Sequence, residues 1–141
     1  MNIGKESEKI EFKESLSELE TGIKSISSML NRNKEATIYF GVKDNGEVIG
    51  IDIVKDTVIK IKERIKAKIK PMVIPEIYEL ESDDGIDYIK VYVKESNIPY
   101  SYDGRYYVRT GASDDQIDVH MLTNIIESKT DDRIREIKAL S

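Results

Sequence analysis

Leu16, Leu19, Ile23, Ile26 and Leu30 recur at steps of three and four, the spacing of one helix face. Ser15 or Ser17 is placed to cap the start of this helix, and residues 31–34 end it. Gly22 lowers helix propensity, so close packing against a neighbour is the expected reason for it. Ahead of the helix, residues 8–12 predict a short edge strand. Behind it, residues 36–42 are short, apolar and rich in strand formers, which suits a central strand. Asp44-Asn45-Gly46 then predicts a turn, with residues 48–51 returning as the second arm of a hairpin. Gly41 and Gly50 fall near the open end of that hairpin, where close backbone approach is expected.

The next segment, 54–70, carries two patterns. Its Lys/Ile alternation imitates a strand, while Val58, Ile61, Ile65 and Ile69 also mark a helical stripe. Seventeen residues exceed an ordinary strand, so a helix ended by Pro71 is the expectation. Residues 73–80 predict a strand whose Pro75 favours an edge or an irregular start. Asp83-Asp84-Gly85 is a turn, and 86–93 alternates cleanly, Ile89, Val91 and Val93 against Lys90 and Tyr92. Residues 97–104 read as a loop, 106–109 as a last short strand and 111–115 as a polar loop. A third helix follows from about Ile117 with Met121, Leu122, Ile125 and Ile126 apolar, then a short terminal helix over 131–140. The predicted fold class is α/β (α+β), a mixed sheet flanked by helices. One domain over 1–128 and a helical tail over 129–141 are expected.

Composition narrows the chemistry. The 141 residues contain no cysteine and one histidine, His120. Disulfides, thiol catalysis and cysteine-ligated metals are therefore excluded, and a two-histidine metal site with them. No apolar run approaches the roughly 20 residues that span a bilayer. Residues 1–13 lack the apolar centre of a signal peptide, so a cytoplasmic protein is expected. The net charge is -5, yet seven basic residues stand against two acidic ones over 54–70, a local +5. A patch of that kind can hold phosphates on an acidic protein because salt screens distant charge. Lys60, Lys62, Lys66 and Lys70 are the candidates on its wet faces.

Two further groups carry chemistry. Glu6, Glu8 and Glu11, followed by Lys13 and Glu14, together with Asp44, supply carboxylates that can converge on a hard divalent cation; from composition alone, solvent-facing acids and an ordinary turn are the stronger explanation. Arg109-Thr110-Gly111-Ala112-Ser113 lies between a predicted strand and a predicted helix. There Arg109 and Ser113 can meet a phosphate, or Ser113 can simply cap the helix. It is not a Walker motif. Tyr100, Tyr102, Tyr106 and Tyr107 gather near Arg105 and Arg109, a grouping suited to stacking bases and holding phosphates.

Ile10-Glu11-Phe12-Lys13-Glu14, the segment 36–46 and Val48-Ile49-Gly50 resemble the start of the Schlafen-type, Alba-like DNA-binding domain. Pro71 to Pro75, Ile98-Pro99-Tyr100 and the segment 106–113 resemble its second half, so the resemblance covers most of the chain. It implies a nucleic-acid-binding domain of the kind found in bacterial transcriptional regulators, either standing alone or excised. In the animal Schlafen proteins an acidic trio supports metal-dependent RNA cleavage, and the matching positions here are Glu6, Glu11 and Asp44. The resemblance thus implies a second reading, a ribonuclease holding Mg²⁺ or Mn²⁺ on those three acids with Lys13 beside the transition state. A third reading is a non-catalytic protein-interaction module. The paired glycines that many relatives carry after the first helix are absent here, although Asn31 matches. A homodimer is also expected, with Ile134, Ile137 and Leu140 as its apolar stripe.

Overall fold

The computed structural model describes residues 1–140. Strand β1 (Ile10–Lys13) leads through a single 3-10 turn into helix α1 (Leu19–Asn33), then strand β2 (Glu35–Phe40), helix α2 (Thr57–Lys68) and strand β3 (Ile69–Lys70). Strands β4 (Glu76–Glu81), β5 (Asp87–Lys94), β6 (Ser101–Tyr102), β7 (Arg105–Thr110) and β8 (Ser113–Gln116) follow, and helix α3 (Val119–Leu140) ends the chain.

The fold is of the expected α/β class, with the mixed sheet flanked by helices, and a second sheet of four strands accompanies it. The first runs β1-β2-β5-β4 and is mixed, with β1 parallel to β2 and the other pairs antiparallel. The second runs β3-β6-β7-β8 and is antiparallel. Helix α1 packs on β2 from one side and on β7 from the other. This explains why residues 25–31 are buried in succession and not on one stripe. Ile23, Ile26, Met29 and Leu30 join Ile38, Phe40, Ile89, Val91 and Val93 in the main core, and Ile61, Ile65 and Ile69 close it from α2. The glycine in α1 has the expected cause. A Cβ on Gly22 would stand 2.7 Å from Ile38 Cδ1 and 3.0 Å from Phe40 Cζ.

Four local expectations change. The loop expected over 97–104 contains strand β6, paired with β3 and β7. The hairpin expected over 36–51 is reduced to a short irregular one around the Asp44-Asn45-Gly46 turn, held by the Val42–Val48 bridge, the Lys43 amide on the Glu47 carbonyl at 2.9 Å and two amides donated to the Gly41 carbonyl. β2 spends its own edges on β1 and β5 instead. Residues 111–115 are not a loop, because Ser113 to Gln116 pair with β7 as a hairpin arm around Gly111 at φ 60°. Helix α3 is continuous through 131–140, with no break before Asp131. Its cap is the Asp118 carboxylate, which accepts from the Met121 amide at 2.9 Å. No residue of α3 is buried, and a cavity of about 610 Å³ separates its middle from the end of α1. Among the described residues no helix is long and apolar enough to cross a membrane.

Candidate nucleic-acid interface and the buried charge cluster

Helix α2 turns Ile61 and Ile65 inward, which leaves Lys60, Lys62 and Lys66 exposed. The cations differ in how they are engaged. Arg64 is forked onto Glu20 at 2.7 and 3.1 Å, Lys68 pairs with Asp103 at 3.2 Å, and Lys60 pairs with Asp56 at 3.2 Å. Lys70 donates to the Lys66 carbonyl at 3.0 Å. Among the described residues the ammonium groups of Lys62 and Lys66 have no partner, and these two stand one helical turn apart. Arg105 is exposed beside the Asp103-Gly104 turn, and the register sets it two strands from Ile69, at the end of α2. Ser113 lies elsewhere. It is on β8, away from any helix start, with its hydroxyl donating to the Thr110 carbonyl at 2.9 Å.

Arg109 is not a surface cation. Its side chain is wholly buried. Nη2 meets Glu11 Oε2 at 2.6 Å and Nη1 meets Asp114 Oδ1 at 2.9 Å. Nε and Nη2 donate to the Ser7 carbonyl at 3.3 Å, and Nη2 also donates to that of Ile10 at 3.3 Å. The guanidinium thus ties the N-terminal segment and β1 to the β7–β8 hairpin. Its donors are consumed inside the fold, so it does not face a phosphate.

Glu11 is nearly buried, with Lys13 Nζ at 3.7 Å on its other oxygen. Glu6 lies alongside, 4.0 Å from Arg109 Nη2. Burial, the hydrogen bond to Glu11 and the negative charge of Glu11 push the Glu6 carboxyl up to about 8, with a smaller push from Asp44 and opposition from the Phe12 amide. Asp44 itself is exposed on the turn. The three acids are therefore neighbours electrically.

A family model described as Schlafen, AlbA_2 matches residues 6–118. The chain belongs to the Schlafen AlbA_2 family. No curated protein matches it. Among solved structures, the DIP2311 protein from Corynebacterium diphtheriae is similar at 18% identity, with a TM-score of 0.63 over 79% of this chain. The chain spans about a quarter of that protein, 25% of its length, and the likeness is one of fold.

For a Schlafen AlbA_2 domain the acidic trio raises the question of a metal. Among the described residues no three His, Asp or Glu side chains are grouped so as to hold one. The Arg109 guanidinium already balances Glu11 at 2.6 Å, and a second guanidinium nitrogen meets Asp114 at 2.9 Å. These residues do not fit Mg²⁺ or Mn²⁺ in this arrangement.

The tyrosines are also distributed differently from their order in sequence. Tyr100 is buried, Tyr102 donates to Glu20 at 3.0 Å, and the Tyr107 ring lies under Lys24 at 5.4 Å. Tyr39, Tyr78 and Tyr92 instead share the outer face of the first sheet. The signal for that grouping is their even spacing from Lys90 through strand pairing, which no linear window contains.

Proposed function

We propose that this domain binds nucleic acid, double-stranded DNA or structured RNA, through the lysine face of α2, in the service of transcriptional regulation in the cytoplasm. The family is one associated with nucleic-acid binding. The observation that carries the reading is the pair Lys62 and Lys66, two exposed cations one turn apart with no protein partner. Lys60, Lys70 and Arg105 extend the patch. Such groups hold the phosphate backbone and carry no sequence information, so binding is positional and sensitive to salt. Fluorescence anisotropy with a labelled duplex tests it, comparing the wild type with a folded Lys62→Glu/Lys66→Glu/Lys70→Glu variant. Weakened binding is expected; unchanged affinity removes α2 as the interface.

The same reading includes a homodimer. Ile134, Ile137 and Leu140 are 45, 67 and 90% exposed on α3, beyond the reach of the core. Two α3 helices paired on this stripe would cover them and present two lysine faces to one duplex.

A further inference from the structure

The first sheet has an inner face on α1 and an outer face that is only half covered. Near β1, Phe12, Val42, Val48 and Tyr88 form a second small core with Ile3 and Ile10 packed on it. On β4 that core reaches Leu80, while Tyr78 and Glu76 are exposed. There the register sets Tyr39, Lys90 and Tyr78 side by side across β2, β5 and β4, and Thr37, Tyr92 and Glu76 in the next row. With strands about 4.8 Å apart and alternate residues about 6.8 Å apart along a strand, the three tyrosines flank Lys90 at roughly 5–7 Å and stand about 8–10 Å from one another.

The rings are held in place. Tyr39 sits edge-on to Phe12 at 5.9 Å and tilted to Tyr88 at 6.3 Å. The Tyr92 hydroxyl donates to Glu35 at 3.1 Å. Tyr78 is 44% exposed, and Lys90 Nζ lies 5.9 Å from its ring centre, so that ring already offers its face to a cation. Glu35 is engaged by Tyr92 and by Lys9 at 3.8 Å. That leaves Lys90 and Lys94 against Glu76 on this face, a cationic balance on a protein of net charge -5.

We propose that this outer face is a platform for single-stranded nucleic acid, with bases stacked on Tyr78 and Tyr92 and a linking phosphate held by Lys90. Preorganised rings interleaved with one or two lysines suit a single strand, whose affinity comes from stacking. They suit a duplex poorly, because a duplex hides its base faces and needs many phosphate contacts. A protein partner is disfavoured by Lys90, Lys94, Glu76 and Thr37 scattered among the rings, since interface centres are depleted in charge. The proposal takes its partner class from the nucleic-acid reading but uses a different surface from α2.

The test is anisotropy of a labelled ten-nucleotide oligo(U) and of a labelled duplex against the same variants. Tyr78→Ala and Tyr92→Ala should each weaken oligo(U) binding about tenfold or more, the effect of losing one stacked base. Tyr92→Phe should retain it, and duplex binding should be unaffected by all three. The Lys62→Glu/Lys66→Glu/Lys70→Glu variant should show the opposite pattern. Oligo(U) binding that survives in the folded double alanine variant overturns the platform. So does an absence of oligo(U) binding in a wild type that still binds duplex, which leaves the α2 reading intact. Loss of self-association in the double alanine variant, with no change in oligo(U) binding, overturns it in favour of a second copy on this face.

Discussion

Replacing Arg109 with methionine should be the most damaging single change in this domain. The methionine fills part of the volume but leaves Glu11 and Asp114 facing each other without the guanidinium that now meets them at 2.6 and 2.9 Å. It also frees the Ser7 and Ile10 carbonyls from their 3.3 Å bonds. Removing one partner of a buried ion pair costs about 3–5 kcal/mol, because the remaining charge stays buried and uncompensated. For a domain of this size that corresponds to a fall in Tm of roughly 10–20 °C. Thermal and urea melts at pH 7 measure it. Arg109→Lys should fall between, since it keeps the charge and loses the fork. Adding Glu11→Gln and Asp114→Asn to Arg109→Met should restore part of the loss. A loss under about 1 kcal/mol in the single variant would refute the buried-cluster reasoning.

Other consequences follow from the same geometry. The Glu6 carboxyl stands at about 8 in the folded chain against 4.5 as the ordinary value, so the folded state holds a proton that the unfolded state releases between those limits. That stabilising contribution is fully present below pH 4.5 and is lost as pH rises toward 8; urea melts across this window should show the decline, and Glu6→Gln should flatten it. Asn31 donates to the Tyr100 and Tyr107 carbonyls at 2.9 and 2.8 Å and accepts from the Tyr100 amide at 2.7 Å. Asn31→Leu should therefore cost about 2–4 kcal/mol by leaving those groups unpaired, read from denaturant midpoints. Sedimentation equilibrium should report about twice 16.1 kDa, and removal of residues 131–141 should return a folded monomer; a monomer in the intact chain contradicts the α3 dimer.

The elements with strong local patterns were legible in the chain. α1 follows its three-and-four spacing although it packs on both β2 and β7, and β5 follows its alternation because one of its faces lies in the core. What was hidden depends on partners distant in sequence. β2 has the composition of a hairpin arm, but β5, some fifty residues later, takes the edge a hairpin would use. Arg109 has the look of a phosphate ligand in its Arg-Thr-Gly segment. Only the folded chain brings Glu11 and Asp114 to it and turns the same five donors inward. Glu6 and Glu11 were recognisable as a pair of acids, but an arginine nearly a hundred residues away decides that they are balanced by a guanidinium. The lysines of α2 were legible because exposure there follows directly from the positions of Ile61 and Ile65.

The salt dependence of duplex binding tests the central claim most directly. Contacts from Lys60, Lys62, Lys66 and Lys70 to four phosphates should give log Kobs a slope of about -3 to -4 against log salt, each contact adding about -0.9. Affinity should then fall roughly a hundredfold between about 50 and 200 mM salt, and the slope should shrink to about -1 when Lys62, Lys66 and Lys70 are glutamate. A flat salt response, or the same steep slope in the folded triple variant, would contradict binding through α2.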